Sequence, residues 1–467
     1  MKRIEGGFPE RKALALTTLS WIYHAKRTLS VDELLQALAL DPSTWQFNHE
    51  DVPSRDIIID ACMGLVAIDS ENTTARFAHN SVREYFQREA NYRRWFPHAR
   101  QDIAKACFAF LGRETFDCGE NPSSDAIAEF QKLYPLLTYA ACFWGDHARE
   151  GYHQDMNDLA LGFLGSKGQL RVAAMVIDAE CKGRKYWGTS APISTSPNLA
   201  VQLAARFGAL EVLQLLIAQG ADLRLPDAVG RTALHWAARG GFLDVVLAVV
   251  QRRGVDVDPR CAGDRTPLHW AAKHGHAAVV RALMDHAADP TAESADGRTA
   301  LHWAASQGHK GLVQLLLDDG RVDAAARSRK GWTALHWAAC GGKRAIAVRG
   351  VEEHDEEHDE EDGEEDDEKT DAAEPVVVSG GGGDGHGHEE AAALLLQAGV
   401  SPRAQTTDGQ MAIHWAAASG QTNLVRVLIE SGGAAGLLDV HGIAPWHLAL
   451  ESKAGGDAVA LLAPAAA

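Results

Sequence analysis

Leu234-His235-Trp236-Ala237-Ala238 recurs as Leu268-His269-Trp270-Ala271-Ala272, Leu301-His302-Trp303-Ala304-Ala305, Leu335-His336-Trp337-Ala338-Ala339 and Ile413-His414-Trp415-Ala416-Ala417. Three residues before each His stand Thr232, Thr266, Thr299, Thr333 and Met411. The intervals are 34, 33, 34 and 78 residues, and the last fits one period carrying an insert better than two plain periods. A pattern at this spacing marks units that cannot bury their apolar faces alone and must stack on neighbours. Function is therefore expected on a surface built by stacking, and not in a pocket.

A period near 33 with a Thr-Pro-Leu-His-x-Ala-Ala core resembles the ankyrin repeat, a turn followed by two antiparallel helices. Working outward, a worn first unit occupies about 195–226, where Val201-Gln202-Leu203-Ala204-Ala205 stands in for the motif. A seventh has Pro445-Trp446-His447-Leu448-Ala449 in frame. End units that depart from consensus suit a capping role. In the fourth unit Ala305 and Leu317 are 12 positions apart, whereas in the fifth Ala339 and Leu396 are 57 apart. About 45 residues, roughly 344–388, are thus inserted between the two helices of the fifth unit. The insert has few large apolar residues and no aromatic one, and is expected to be disordered.

The insert also explains the charge. The whole chain carries a formal −18, but Val351 to Glu374 alone holds sixteen Asp or Glu and one Lys. The remainder is nearly balanced, so bulk charge does not point to nucleic acid. Seven scattered cysteines without a Cys-x-x-Cys pair argue for reduced thiols in a cytoplasmic or nuclear compartment, and against a disulfide frame or zinc site. Met1-Lys2-Arg3-Ile4-Glu5 leads into no apolar stretch, so neither a signal peptide nor a membrane span is expected.

Ahead of the repeats, residues 9–95 alternate helix and strand signals. Lys12 to Tyr23 reads as a buried helix, and Ser30-Val31-Asp32-Glu33 as a capping box opening a second. Ser54 to Met63 is a third, ended by Gly64. Leu65 to Ile68 and Thr74 to Ala78 follow as a hairpin, which completes winged-helix order. Residues 96–190 read as five helices: His98–Leu111, Ser124–Leu133, Pro135–Trp144, Asp155–Leu164 and Gln169–Ala179. The fold class is thus mainly α, an ankyrin-repeat solenoid of about seven units over 195–467. A winged-helix domain (9–95) and a small helical domain (96–190) precede it.

Trp21-Ile22-Tyr23-His24-Ala25-Lys26-Arg27-Thr28-Leu29-Ser30-Val31-Asp32-Glu33-Leu34 and Phe77-Ala78-His79-Asn80-Ser81-Val82-Arg83-Glu84-Tyr85-Phe86 resemble the winged-helix region of NACHT–ankyrin proteins of filamentous fungi. Tyr134-Pro135-Leu136-Leu137-Thr138-Tyr139-Ala140-Ala141-Cys142-Phe143-Trp144-Gly145-Asp146-His147-Ala148-Arg149 is similar to the helical segment that follows there. The resemblance implies membership among signal-transducing NTPases of the STAND or NLR-like kind. It also gives His79 the place of a residue that senses bound nucleotide, its alternative being a structural residue at the start of the next helix. A phosphate-binding loop requires Gly-x4-Gly-Lys-[Ser/Thr], and Cys340-Gly341-Gly342-Lys343-Arg344 lacks both the first Gly and the Ser/Thr. Only about ten residues precede the winged helix. The chain is therefore expected to be non-enzymatic, without cofactor or metal, as a stand-alone product or a truncated gene model.

The six motif histidines invite a metal reading, but successive units lie about 8–10 Å apart, against metal bonds of ~2 Å. They are expected to hydrogen-bond neighbouring turns, with the tryptophans in the core. His354, His358, His386 and His388 are read as solvated residues of the insert rather than ligands. The resemblance to ankyrin proteins places binding on the turn tips and first-helix ends. By register these include Val229, Arg231 and Arg239; Arg265, Lys273 and His274; Asp296, Arg298 and Gln307; Arg329, Lys330 and Trp332. Arg231, Arg265, Arg298 and Trp332 occupy one equivalent position, and Arg and Trp are enriched at interface hot spots. The alternative is a solvated charged face.

The partner is expected to be a protein, with a NACHT-type nucleotide domain in trans as a second partner and the acidic insert as an intramolecular one. A transcriptional regulator is the remaining reading. Ser54 to Met63 would then be the recognition helix, yet it offers one Arg against two Asp and an isoleucine cluster.

Overall fold

The computed structural model describes residues 1–69, 73–119, 122–181, 196, 198–341, 386–451 and 456–463. These fall into two compact units that meet in sequence at Asp222 and Leu223. The insert expected at about 344–388, with its expected disorder, lies outside the described residues except for its last three, which open the helix His386–Gln397.

The first unit begins with the winged helix. Pro9 opens the helix Pro9–His24, its fixed φ suiting a first turn that needs no N–H donor. Ser30 caps Val31–Leu38: its Oγ accepts the Glu33 N–H at 3.1 Å and Glu33 Oε2 accepts the Ser30 N–H at 2.8 Å. Arg55–Ala61 is the third helix. Strand β1 is Leu29–Ser30, β2 is Val66–Asp69 and β3 is Thr74–Phe77, in the order β1-β3-β2. Both pairings are antiparallel, with Val66 opposite Phe77 and Leu29 opposite Ala75. The hairpin was legible; β1, two residues long, was not. Leu19, Ile58, Cys62, Val66, Phe86 and Phe96 form the core beneath this sheet.

Five helices follow: Ala99–Leu111, Ser124–Leu133, Leu136–Gly151, Asn157–Gly165 and Lys167–Cys181. The third runs seven residues past the expected end at Trp144. Gly145 does not break it, since a glycine inside a helix costs only about 1 kcal/mol. These helices are continuous with the winged helix and do not stand apart from it. Gln36 donates Nε2 to Leu133 O and accepts the Leu136 N–H on Oε1, both at 3.1 Å. The Lys26 N–H donates to Tyr139 Oη at 3.0 Å, and that hydroxyl lies 2.7 Å from His147 Nε2.

Seven helix pairs follow among the described residues. They are Leu199–Phe207 with Leu210–Ala218, Ala233–Gly240 with Leu243–Val250, Pro267–Lys273 with Ala277–Asp285, Ala300–Ser306 with Lys310–Leu317, Ala334–Cys340 with His386–Gln397, Ala412–Ala418 with Thr422–Glu430, and Pro445–Glu451 with Gly456–Leu462. The fifth pair is completed across the insert: His386–Gln397 packs against both Lys310–Leu317 and Thr422–Glu430. His388 sits over Gly308 within that helix, so this residue belongs to the repeat and not to the insert.

The first pair groups with the helical region of unit one. Phe207 meets the fully buried Trp144 edge-on at 5.2 Å, and Arg149 Nη1 donates to Phe207 O at 2.7 Å. Gly145 lies under the Phe207 ring, where a Cβ would overlap that side chain. Gly145→Ala should therefore destabilise the first unit by about 1–3 kcal/mol through overpacking, against a gain for an exposed helical Ala. Denaturant unfolding of the full chain checks this, with Gly162→Ala, where a Cβ meets nothing, as the control.

Candidate functional site

In the second unit each first helix is preceded by a tight turn closed by one backbone hydrogen bond. The bonds run Asp227 N to Arg231 O, Cys261 N to Arg265 O, Ser294 N to Arg298 O, Ser328 N to Trp332 O, Thr406 N to Gln410 O and Asp439 N to Ile443 O, at 2.8–3.0 Å. Positive φ at Gly230, Gly297, Gly331, Gly409 and Gly442 makes this turn, and Asp264 at φ 54° replaces glycine in the third repeat. Neighbouring turns are laced together: the Ala262 N–H donates to Val229 O, Ala295 to Gly263 O, Arg329 to Asp296 O, Thr407 to Lys330 O and Val440 to Asp408 O.

The motif histidines join the turns to the helices. His235, His269, His302 and His336 each accept on Nδ1 the N–H of Thr232, Thr266, Thr299 and Thr333, at 3.0–3.1 Å. Because Nδ1 accepts, the proton of the neutral ring sits on Nε2. From there it donates to a carbonyl of the next repeat: Arg265, Arg298, Trp332 and Gln410 respectively, at 3.0–3.3 Å. The expected turn-bonding role is what the geometry shows. Among the described residues no group of three His, Cys, Asp or Glu side chains is placed to hold a metal ion.

The tryptophans meet the expectation of a core position only in part, Trp415 being buried as well as two of the others. Trp236 and Trp303 are buried, Trp270 and Trp337 only half-buried, and what covers them is the row of residues expected to form a free exposed strip. Arg231 lies 4.4 Å over the Trp236 ring and is itself 6% exposed, ion-paired with Asp227 at 2.6 Å. Arg265 sits between Trp270 (5.9 Å) and Trp303 (5.3 Å), and Arg298 between Trp303 (4.9 Å) and Trp337 (3.9 Å). Trp332 takes the next place, between Trp337 (4.6 Å) and Trp415 (4.5 Å). These side chains alternate with the indoles as an interleaved cation–π and aromatic stack. Arg265, Arg298 and Trp332 each bridge two repeats, while Arg231 covers the indole of its own, so the position that looked like a contact strip is largely a structural one. Val229 is half-buried by the turn lacing.

Other expected positions divide. Arg239 lies 5.2 Å over Trp270 and Lys273 5.3 Å over Trp303, both half-exposed on the first-helix ends. His274 stacks on Trp270 at 6.1–6.3 Å separations shared with His276, and burial holds its pKa down at about 3. Gln307, Arg329 and Lys330 are exposed, while Asp296 pairs with Arg298. In unit one, exposed His79 precedes Asn80–Gln87 without capping it through its side chain; Ser81 Oγ is 3.5 Å away.

A second histidine row escaped the sequence reading. His276 donates Nε2 to Arg239 O at 2.9 Å, and His309 to Lys273 O at 3.1 Å, each resting on a positive-φ glycine of the preceding repeat, Gly241 or Gly275. The recurring Gly-His of Gly275-His276 and Gly308-His309 was the available signal.

An open cleft of about 480 Å³ between the fifth and sixth repeats is lined by Leu396, Val400, Pro402, Val427 and neighbours without a titratable side chain. No helix among the described residues is long and apolar enough to cross a membrane.

Residues 201–294, 291–348 and 384–467 match a family model described as ankyrin repeats. This chain carries an ankyrin-repeat array. Residues 7–94 match the winged helix domain of GPI inositol-deacylase. Over 45 residues the chain is 47% identical to the Notch-regulated ankyrin repeat-containing protein A of Danio rerio and to its Homo sapiens counterpart. That match covers 10% of this chain, which spans only 40% of the length of those curated relatives. The human ASB11 ankyrin repeat domain superposes with a TM-score of 0.43 at 20% identity, over 57% of this chain and 99% of that one.

Two consequences of the ankyrin geometry are measurable. Burial pushes His235, His269, His302 and His336 down to about 4, only partly offset by their carbonyl partners. Unfolded histidine titrates near 6.5. Between those values the unfolded chain holds more protons, so these residues' stability is complete above about pH 6.5 and drains as pH falls towards 4. Denaturation midpoints should drop steeply through that window, before the carboxylates titrate. For the interleaved stack, Arg298→Lys should lose about 1 kcal/mol or more of cation–π and planar stacking. Unfolding should show this together with altered tryptophan emission, whereas exposed Arg329→Lys should change neither.

Proposed function

We propose that this ankyrin-repeat interaction module is the sensing and regulatory part of a STAND or NLR-like receptor. In this reading a protein ligand meets the turn tips and first-helix ends, and the winged helix reports occupancy to a nucleotide domain supplied in trans or by a longer gene product. The carrying observation is the order of parts: a winged helix of the GPI inositol-deacylase type, bonded through Gln36 and Tyr139 to a helical region, then the repeats. His79, exposed where β3 meets Asn80–Gln87, would be the contact to that domain's nucleotide. The chain acts by binding and not by catalysis, in the cytoplasm or nucleus.

A winged-helix DNA reader fits less well. On Arg55–Ala61 the side chains of Ile57 and Ile59 are exposed, and Arg55 pairs with Asp32 at 3.0 Å. That surface mixes exposed isoleucines with Asp56 and Asp60 and has one arginine, where phosphate tracking calls for several cations.

Loss of the interleaved arginines would damage the fold, so exposed charge beyond them is the better probe of binding. Arg329→Glu with Lys330→Glu reverses exposed charge on one turn and leaves its backbone bonds in place. We expect the pair to lose a partner captured by the wild-type chain from its own cell extract, at unchanged thermal stability. Identical capture by both proteins would move the binding surface elsewhere.

A further inference from the structure

The inner face of repeats two to four is unusually basic for a chain of net negative charge. Its turns and first-helix ends carry the half-exposed Arg239, Arg265, Lys273 and Arg298, with exposed Arg329 and Lys330 on the next turn, against the carboxylates Asp264 and Asp296. Asp296 pairs with Arg298, and the buried Arg231 and Asp227 pair with each other beneath this face. The cations are also held in place: Arg239, Lys273 and Arg265 each lie 5.2–5.9 Å over a tryptophan ring. Ring stacking fixes the plane of a guanidinium, whose N–H groups match a carboxylate in geometry and charge. Burial keeps His274 and His276 neutral beside them, so they add no repulsion to each other and no titrating charge at neutral pH.

We propose that this face docks an acidic peptide segment, and that its occupant is residues 351–374 of this same chain. Charge complementarity selects the occupant. That stretch holds sixteen carboxylates against one lysine, whereas the rest of the chain is close to balance. Covalent reach allows it. Nine residues lie between Gly341, in the fifth repeat, and Val351, ten Cα–Cα steps that can span up to about 35 Å. Adjacent repeats are about 10 Å apart, so the acidic run can lie along repeats four, three and two. Each exposed ion pair contributes little, ~0–1 kcal/mol, but tethering supplies an effective concentration near a millimolar. The inference concerns the binding face alone and does not depend on the receptor reading; an external protein would compete with the segment for the same cations.

The test uses the full chain, a variant lacking residues 351–374, and a fluorescent synthetic peptide of that sequence. The deletion leaves both ends of the insert and every described residue intact. We expect the deletion variant to bind the peptide about tenfold or more tighter than the wild type, since the tethered copy no longer competes. That binding should fade between about 0.1 M and 1 M salt, as the screening length shrinks from ~10 Å to ~3 Å. Lys273→Gln with Arg239→Gln, in the deletion background and checked by thermal melting, should weaken it. If those substitutions unfold the array, Arg329→Gln with Lys330→Gln on the exposed turn replaces them. No binding by the deletion variant would overturn the docking face. Equal binding by wild type and deletion variant would overturn the occupant, because the face would then be open in the intact chain. Failure of either kind leaves the receptor reading untouched, as that rests on capture of an external partner.

Discussion

A neutral imidazole that accepts from its own turn and donates to the next one is the interaction on which the array depends. In each of four consecutive repeats Nδ1 takes the N–H of a threonine, which fixes the tautomer, and Nε2 then reaches a carbonyl one repeat along. A helix pair of this size cannot bury its apolar face alone. The histidine answers this by satisfying buried backbone groups at two levels at once, where an unpaired amide would cost about 1–3 kcal/mol. Protonation would place a donor against a donor. The same bond that specifies the stack therefore ties it to a neutral pH range.

Interleaved arginines and tryptophans add a second bridge on the adjoining side of the repeats. Trp236, Trp303 and Trp415 are buried as core residues would be, yet their rings are closed off by Arg231, by Arg265 and Arg298, and by Trp332. This arrangement makes one row of side chains structural and leaves Gln307, Arg329 and Lys330 beyond it for contact. It also retains positive charge on a face that a purely aliphatic packing would leave neutral.

Much of this was legible in the sequence and some was not, for physical reasons. The period, the seven units, the Ser30–Glu33 box and the place of the insert follow from local chemistry that repeats or caps. Arg231 could not be read correctly from register alone: a turn position looks exposed until the Trp five residues on is seen to lie beneath it. Strand β1 is two residues long, too short for any alternation to show. The attachment of the first repeat to unit one rests on Phe207, Trp144 and Gly145, residues whose meeting depends on tertiary packing across sixty positions. Helix Leu136–Gly151 outran its expected end because packing overrode the glycine that suggested a stop.

The insert enters between the two helices of a single repeat, and this has a consequence for how the array is held together. Ala334–Cys340 packs on the first helices either side of it, while His386–Gln397 packs on the second helices either side. Each half of the fifth repeat is thus gripped by its neighbours independently of the peptide link between them. Chain continuity at that point is not what keeps the solenoid in register. The solenoid's register there is set from both flanks by packing, so the length of chain between Gly341 and His386 is not fixed by the repeats it interrupts.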